Sequence, residues 1–362
     1  MKLLALCAFL VGACVPAAPG AGCSPLTCGS SQVTLAHGSL LGVRAFGSTG
    51  PLRVLDLRTG ATRWRLPSGM LGANLLVHQD GTLLTWFNAA TGARVGDTVA
   101  QTRGRFFLTG VSQDGFRAVL ARTQRRSTTF EIVSQSTQRR VVLGSGNWSF
   151  DALSGDKLYL LRWLPSGYVV RLYDLATNKL ALQALKNEAD SPLIVGTPWS
   201  RVSSSDGRYV LTLYITPAGK AMIHELDARA GTARCIDLPG TGSFNSATSY
   251  SLSMSADSRT LWAVSTGYGK VAAVDIAGAR VRDTFGFAGS PPASPIGTVA
   301  AVSPDGERLA VADGGTIWFV TFALHRVVQA PPHVAIALGF SPDGKRLWMV
   351  GQKSRVSAVP VP

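Results

Sequence analysis

Acidic residues are scarce in this chain: 21 Asp and Glu stand against 35 Lys and Arg, a formal charge of +14 over 362 residues. Lysine is scarcer still, so arginine carries most of the positive charge. Such an excess favours contact with anionic surfaces, although enrichment in arginine, alanine and glycine together is also what a GC-rich coding sequence gives. Cysteine is limited to five residues, too few for a disulfide-built scaffold. Beyond the N-terminus there is no apolar run of about 18 residues, so no helix in the body of the chain reads as membrane-spanning. Nucleophile elbows of the form Gly-x-Ser-x-Gly are missing. The histidines, His37, His78, His224, His325 and His333, lie at no metal-ligand spacing and read as core or rim residues. Short basic tracts, Arg125-Arg126 and Arg139-Arg140, come with no nucleic-acid motif. With 46% hydrophobic residues the chain has ample material for a packed core, so disorder is excluded.

What is present in quantity is a turn. Ser303-Pro304-Asp305-Gly306-Glu307-Arg308-Leu309 returns as Ser341-Pro342-Asp343-Gly344-Lys345-Arg346-Leu347. Weaker copies are Ser205-Asp206-Gly207, Ser255-Ala256-Asp257-Ser258, Gln113-Asp114-Gly115 and Gln79-Asp80-Gly81. Proline pre-sets φ, aspartate bonds its own backbone two residues on, and glycine takes the φ > 0 position that closes the hairpin. The flanks, such as Thr298 to Val302 and Leu309 to Ala312, are apolar on both faces, as suits a strand sandwiched between two sheets.

A second turn alternates with the first: Asp56 to Gly60, Asn88 to Gly92, Asp174 to Asn178, Asp227 to Gly231 and Asp275 to Gly278. Its terminal glycine or asparagine again supplies φ > 0. Together the two turns define units of four strands, a to d, with the Asp-Gly turn joining a to b and the second turn joining c to d. Eight c–d pairs can be read. The last, Val356 to Val361, has lost its outer strand, while Gln32 to Ala36 stands alone at the front and is expected to complete the final sheet. The first two units are short, so seven and eight units both stay open.

Asp-Gly hairpins followed by Arg-Leu, alternating with Asp-x-x-Thr-Gly turns over residues 31–362, resemble the YVTN-type and WD-repeat-like β-propellers of bacteria. The resemblance implies an all-β propeller of seven or eight four-stranded blades, closed by an N-terminal strand. Asp56 to Gly60 followed by Trp64 is similar to the tryptophan-docking turn of quinoprotein dehydrogenases, in which the tryptophan packs between blades. The adjacent cysteines that those enzymes hold over their cofactor have no counterpart here, and no cofactor is implied. The Ser-x-Asp-x-Gly-x-Thr-Trp turn of sialidase-type propellers is absent as well.

The first residues read as an export signal: Met1-Lys2 is a minimal positive region, Leu3 to Val11 an apolar one, and small residues follow. Residues 1–22 are assigned to signal and leader, 23–30 to a cysteine-containing segment and 31–362 to the propeller. Val11-Gly12-Ala13-Cys14 fits a lipobox with Cys14 as the lipidated residue; Val15-Pro16-Ala17 fits cleavage before Ala18. In an oxidising compartment Cys23 and Cys28 are expected to pair, and Cys235 reads as a buried thiol.

Function on such a scaffold concentrates in loops. Spacing between the turn aspartates rises from 34 and 42 residues to 50, 51 and 48, then falls to 38. The added length lies in Asn187 to Trp199, Pro239 to Tyr250 and Gly286 to Gly297. On that face we expect Arg122, Arg125, Arg126, Trp148, Trp163, Trp199, Lys220 and Tyr268, aromatics among cations that suit an anionic glycan or a protein partner. The same tryptophans could equally pack between blades. The reading is therefore an exported, monomeric, non-catalytic scaffold of the cell envelope or extracellular space. It binds a protein or an anionic envelope polymer, requires neither cofactor nor nucleic acid, and touches membrane only through a lipid anchor. The alternative is a hydrolase or lactonase of the same fold with a metal in the central channel.

Overall fold

A computed structural model describes residues 32–362 apart from 36–37, 45–49, 74, 101–104, 125–126, 186–192, 289–297, 314, 331–334 and 352–354. Its described residues form eight antiparallel sheets in chain order, each a simple meander. We number them as blades: 1 (residues 32–66), 2 (70–99), 3 (107–143), 4 (147–194), 5 (197–237), 6 (250–286), 7 (299–330) and 8 (337–360). The protein is thus an eight-bladed β-propeller, which resolves the count that the sequence left open.

Both recurrent turns form as their chemistry requires. In blade 7 Glu307 N–H donates to Asp305 Oδ1 (3.0 Å) and Arg308 N–H to Ser303 Oγ (3.0 Å), while Ser303 Oγ donates to Asp305. Gly306 takes φ +75°. The same Ser-x-Asp lock recurs at Ser341 and Asp343, Ser255 and Asp257, Ser204 and Asp206, and Ser112 and Asp114. The serine two places before the aspartate therefore belongs to the motif; in blade 5 it is Ser204 rather than the adjacent Ser205. The Ser hydroxyls hold the carboxyls of Asp257, Asp305 and Asp343 below the usual aspartate range. In the c–d turn of blade 6 the expectation fails: Ala279, at φ +47°, takes the left-handed position, not Gly278. Gly278 leaves room for the turn carboxylate: a Cβ there would stand 2.5 Å from Asp275 Oδ2, which would have to shift.

Packing between blades follows from strand alternation. In blade 7, Leu309 and Val311 face blade 6, whereas Ala310 and Ala312 face blade 8. Each strand is apolar on both faces because each face is a joint. Eight apolar clusters result, one per pair of neighbours, and one of them joins blade 8 to blade 1 through Leu41, Leu55, Leu57, Ile336, Ala337 and Val350. An open row of sheets would have one joint fewer, so the ring is closed.

It is not closed as the sequence suggested. The front strand, Gln32–Thr34, pairs with Leu40–Arg44 as strand a of blade 1, with Gln32 opposite Val43. Among the described residues blade 8 has three strands, Ala337–Phe340, Arg346–Val350 and Val356–Pro360. Side chains fasten the described closure. Trp348 Nε1 donates to Leu57 O of blade 1 at 2.6 Å, and its ring lies where a Cβ on Gly60 would fall, 2.1 Å from Cζ3. Trp64, the residue singled out by its docking turn, does the same one joint on, donating to Ala89 O at 2.9 Å and lying against Gly92. Gln32 adds a bridge near the axis: its side-chain amide donates to Ala300 O of blade 7 and accepts from Leu338 N–H of blade 8.

Candidate functional site: the loop face

Because every blade is a meander, the a–b and c–d turns share one face of the ring and the b–c and d–a loops share the other. The lengthened connections therefore all open on the loop face. One carries a short strand, Leu193–Ile194, that rejoins blade 4 as part of its outer edge. The next holds a helical turn, Phe244–Ala247, capped by Ser243. Most of the third, residues 289–297, lies outside the described residues, as do Arg125, Arg126, Cys14, Cys23 and Cys28.

Of the proposed ligand residues, most are engaged in holding this face together. Trp199 meets Phe244 edge-on at 6.3 Å and so pins the helical turn. Tyr268 Oη donates to Gly219 O (2.7 Å) and Ser243 O (3.2 Å), while Tyr250 Oη bonds Pro239 O. Lys220 pairs with Asp237 at 2.8 Å, both exposed. Trp163 donates to Ser149 Oγ at 2.9 Å and packs on Tyr168 at 5.0 Å. Trp148 is buried at the joint of blades 3 and 4. The packing role, weighed earlier against stacking on a ligand, accounts for these aromatics.

What remains chemically distinctive is arginine. Arg105 lies over Phe107 (5.0 Å), Arg122 over Phe106 (4.9 Å) and Arg162 over Trp148 (5.7 Å). Such stacking holds a guanidinium in place without neutralising it. Arg171, desolvated and close to Arg162, has its pKa lowered first by burial and then by that neighbour's charge. Among the described residues no acid forms an ion pair with Arg105, Arg162 or Arg171.

The acids are elsewhere for a structural reason. Most aspartates are spent on the two recurrent turns and so lie on the turn face, where Arg58, Arg208, Arg229 and Arg308 pair with them. Others are buried between blades: Glu131 with Arg140, Glu225 with Arg234, and Asp151 with Arg201. Arg234 also donates to Ile276 O and Ala277 O of blade 6, tying a joint. Sequence reasoning missed these pairs. Their signal is the nine-residue spacing from Glu on strand c to Arg on strand d, shared by Glu131–Arg140 and Glu225–Arg234.

His224 and Asp313 are buried titratable groups as well. His224, beside Tyr214, has its pKa lowered to about 4 by burial. Asp313 accepts from Thr266 and Thr298 through Oδ2, its Oδ1 has no partner, and burial raises its pKa. Cys235 is half-buried on Thr232–Asp237 rather than fully buried. Among the described residues no group of three or more His, Cys, Asp or Glu is placed to share a metal ion. A cleft of about 330 Å³ lies on the turn face between blades 4 and 5, lined by Ser154, Asp156, Lys157, Asp174 and Arg229. Lys157 there bonds Arg229 O.

Comparison with known proteins agrees on architecture. No protein-family model matches the chain, and no curated protein matches it in sequence. Among solved structures it is similar to the Dos1 propeller, at 12% identity and TM-score 0.51 over 89% of each chain. It also matches the Swd1 β-propeller domain of Myceliophteria thermophila, at 12% identity and TM-score 0.46 over 94% of this chain and 97% of that one. A third match is Kuenenia stuttgartiensis hydrazine synthase, at 13% identity and TM-score 0.40 over 81% and 94%. The class of protein is an eight-bladed β-propeller.

Proposed function

We propose that the chain is an exported, non-catalytic binding scaffold of YVTN type, working in the cell envelope or extracellular space, and that its loop face receives an anionic partner. Export is supported by the Met1-Lys2 and Leu3 to Val11 signal. The observation that carries the binding reading is the separation of charge. Turn chemistry commits most aspartates to one face, and Arg105 and Arg162 are left toward the other, where among the described residues no acid forms an ion pair with them. Guanidiniums held over aromatic rings keep their geometry and their charge, which suits carboxylate or phosphate groups.

The test is binding of the purified chain to isolated cell envelope between about 50 and 500 mM salt, a range over which exposed charge pairs are progressively screened. Binding is expected to fall steeply with salt and to weaken in an Arg105→Ala, Arg162→Ala double variant. Treating the envelope with protease distinguishes an acidic protein from an anionic polymer. Binding that ignores both salt and the double variant would remove the reading.

A further inference from the structure

Blade 8 offers a second surface, on the outer rim and independent of the loop face. Among the described residues its last strand, Val356–Pro360, pairs only with Arg346–Val350. Gly351 N–H donates to Arg355 O and Val361 N–H to Lys345 O, so the odd-numbered residues turn their amides inward. By alternation, Val356 and Ala358 turn both N–H and C=O outward. Pro360 contributes a carbonyl and, lacking an N–H, suits an outer edge. Among the described residues nothing pairs with this edge, whereas each of the other seven sheets has its fourth strand.

The gap has two unlike walls. On the blade 1 side Leu55 faces blade 8, and Arg53, two residues away on the same strand, shares its face; Arg65 stands opposite Arg53 in register. On the blade 7 side Ala330 packs toward blade 8, so Val328 and Arg326 share that face. Arg65 and Arg326 are exposed, and among the described residues no acid forms an ion pair with either. A strand laid in the gap would therefore show alternate side chains to arginine and to an aliphatic surface.

We infer that this edge accepts an extended segment of a partner protein in which acidic and aliphatic residues alternate, added as the fourth strand of blade 8. Main-chain bonds to Val356, Ala358 and Pro360 supply register, and the acids meet Arg53 and Arg65. The chain's own residues 1–31 contain no Asp or Glu, so they lack the matching charge. Two copies joined edge to edge would bring Arg65 and Arg326 of both rims together, which opposes self-pairing.

The experiment uses the whole chain, amide-resolved NMR hydrogen exchange, and two synthetic probes, acetyl-(Glu-Val)3-amide and acetyl-(Lys-Val)3-amide. The glutamate peptide is expected to slow exchange at Val356 and Ala358 about tenfold or more, and the lysine peptide to leave it unchanged. Arg65→Glu should reverse the preference. The inference is overturned if neither peptide protects these amides at a few millimolar, or if both protect equally. It is also overturned if the amides are already protected in the protein alone. Protection that persists on dilution would then assign the edge to the chain's own residues, and protection lost on dilution would assign it to a second copy.

Discussion

Replacing Gly60 by alanine tests how the ring is shut. Gly60 sits at φ +73°, and a Cβ there would lie 2.1, 2.5 and 2.6 Å from three carbons of the Trp348 ring. An alanine in this region costs roughly 1–2 kcal/mol for backbone alone. The indole must also leave its seat. It loses the bond to Leu57 O, worth about 1 kcal/mol net, and part of its apolar contact at the blade 8 to blade 1 joint, about 1–2 kcal/mol. The expected total is about 3–5 kcal/mol. Gly81→Ala is the control, because Gly81 has φ +58° and a Cβ there meets nothing within 4 Å; it should cost only the backbone part, roughly 1–2 kcal/mol. Gly92→Ala, whose Cβ would lie 2.9 Å from Trp64, should fall between the two. Guanidinium unfolding followed by tryptophan fluorescence measures all three. Equal destabilisation of Gly60→Ala and Gly81→Ala would refute docking as the means of closure.

Further outcomes follow from the buried charges. His224 has a folded pKa of about 4, below the usual 6.5 or so. Its neutral form therefore contributes stability that is complete above the unfolded value and is lost as pH falls toward the folded one, by about 3 kcal/mol at most. Unfolding free energies at a series of pH values should show this slope, and His224→Gln should flatten it. Asp313 has the opposite sign: its raised pKa means that stability falls as pH rises from the unfolded value through the folded one. Asp313→Asn should thus leave acid stability unchanged and raise the melting temperature at neutral pH; a lower melting temperature there contradicts the assignment. Arg234→Ala removes the cation beside buried Glu225 and should cost about 3–5 kcal/mol, with Glu225→Gln in the same chain restoring part of it. Ser341→Ala should cost about 1 kcal/mol by freeing Arg346 N–H and Asp343.

Much of this fold is legible because its turns are local. Asp305 and Gly306 bond to their own neighbours, so a short stretch of sequence specifies the hairpin, and unbroken apolar runs such as Leu309 to Ala312 specify that both faces of a b strand are covered. Blade number was harder. Strand a of blade 2 is only Met70–Leu71, and the outer strand of blade 4 is split between Lys179–Leu180 and Leu193–Ile194. Met70–Leu71 carries too little alternation to register as a strand, and the c–d pair that can be read for blade 4 gives no sign that its outer strand is split. The place of Gln32–Thr34 was misjudged for a different reason: a strand's pattern shows that it pairs, and not with which neighbour. In the candidate site, aromatics and cations were found by type. Which of them face a ligand and which face a blade depends on register, and Trp199 and Tyr268 turned inward to hold a loop that sequence could only mark as long.

The seam that Trp348 fastens also gives the molecule an order of failure under load. Among the described residues Val356–Pro360 is bonded along one side only, so tension on residue 362 parts its bonds one after another, as a zipper opens. A strand held on both sides would have to lose two rows of bonds in place of one. A pulled propeller should yield first at blade 8, and the sheets behind it, each bonded through four strands, should give way only at higher force.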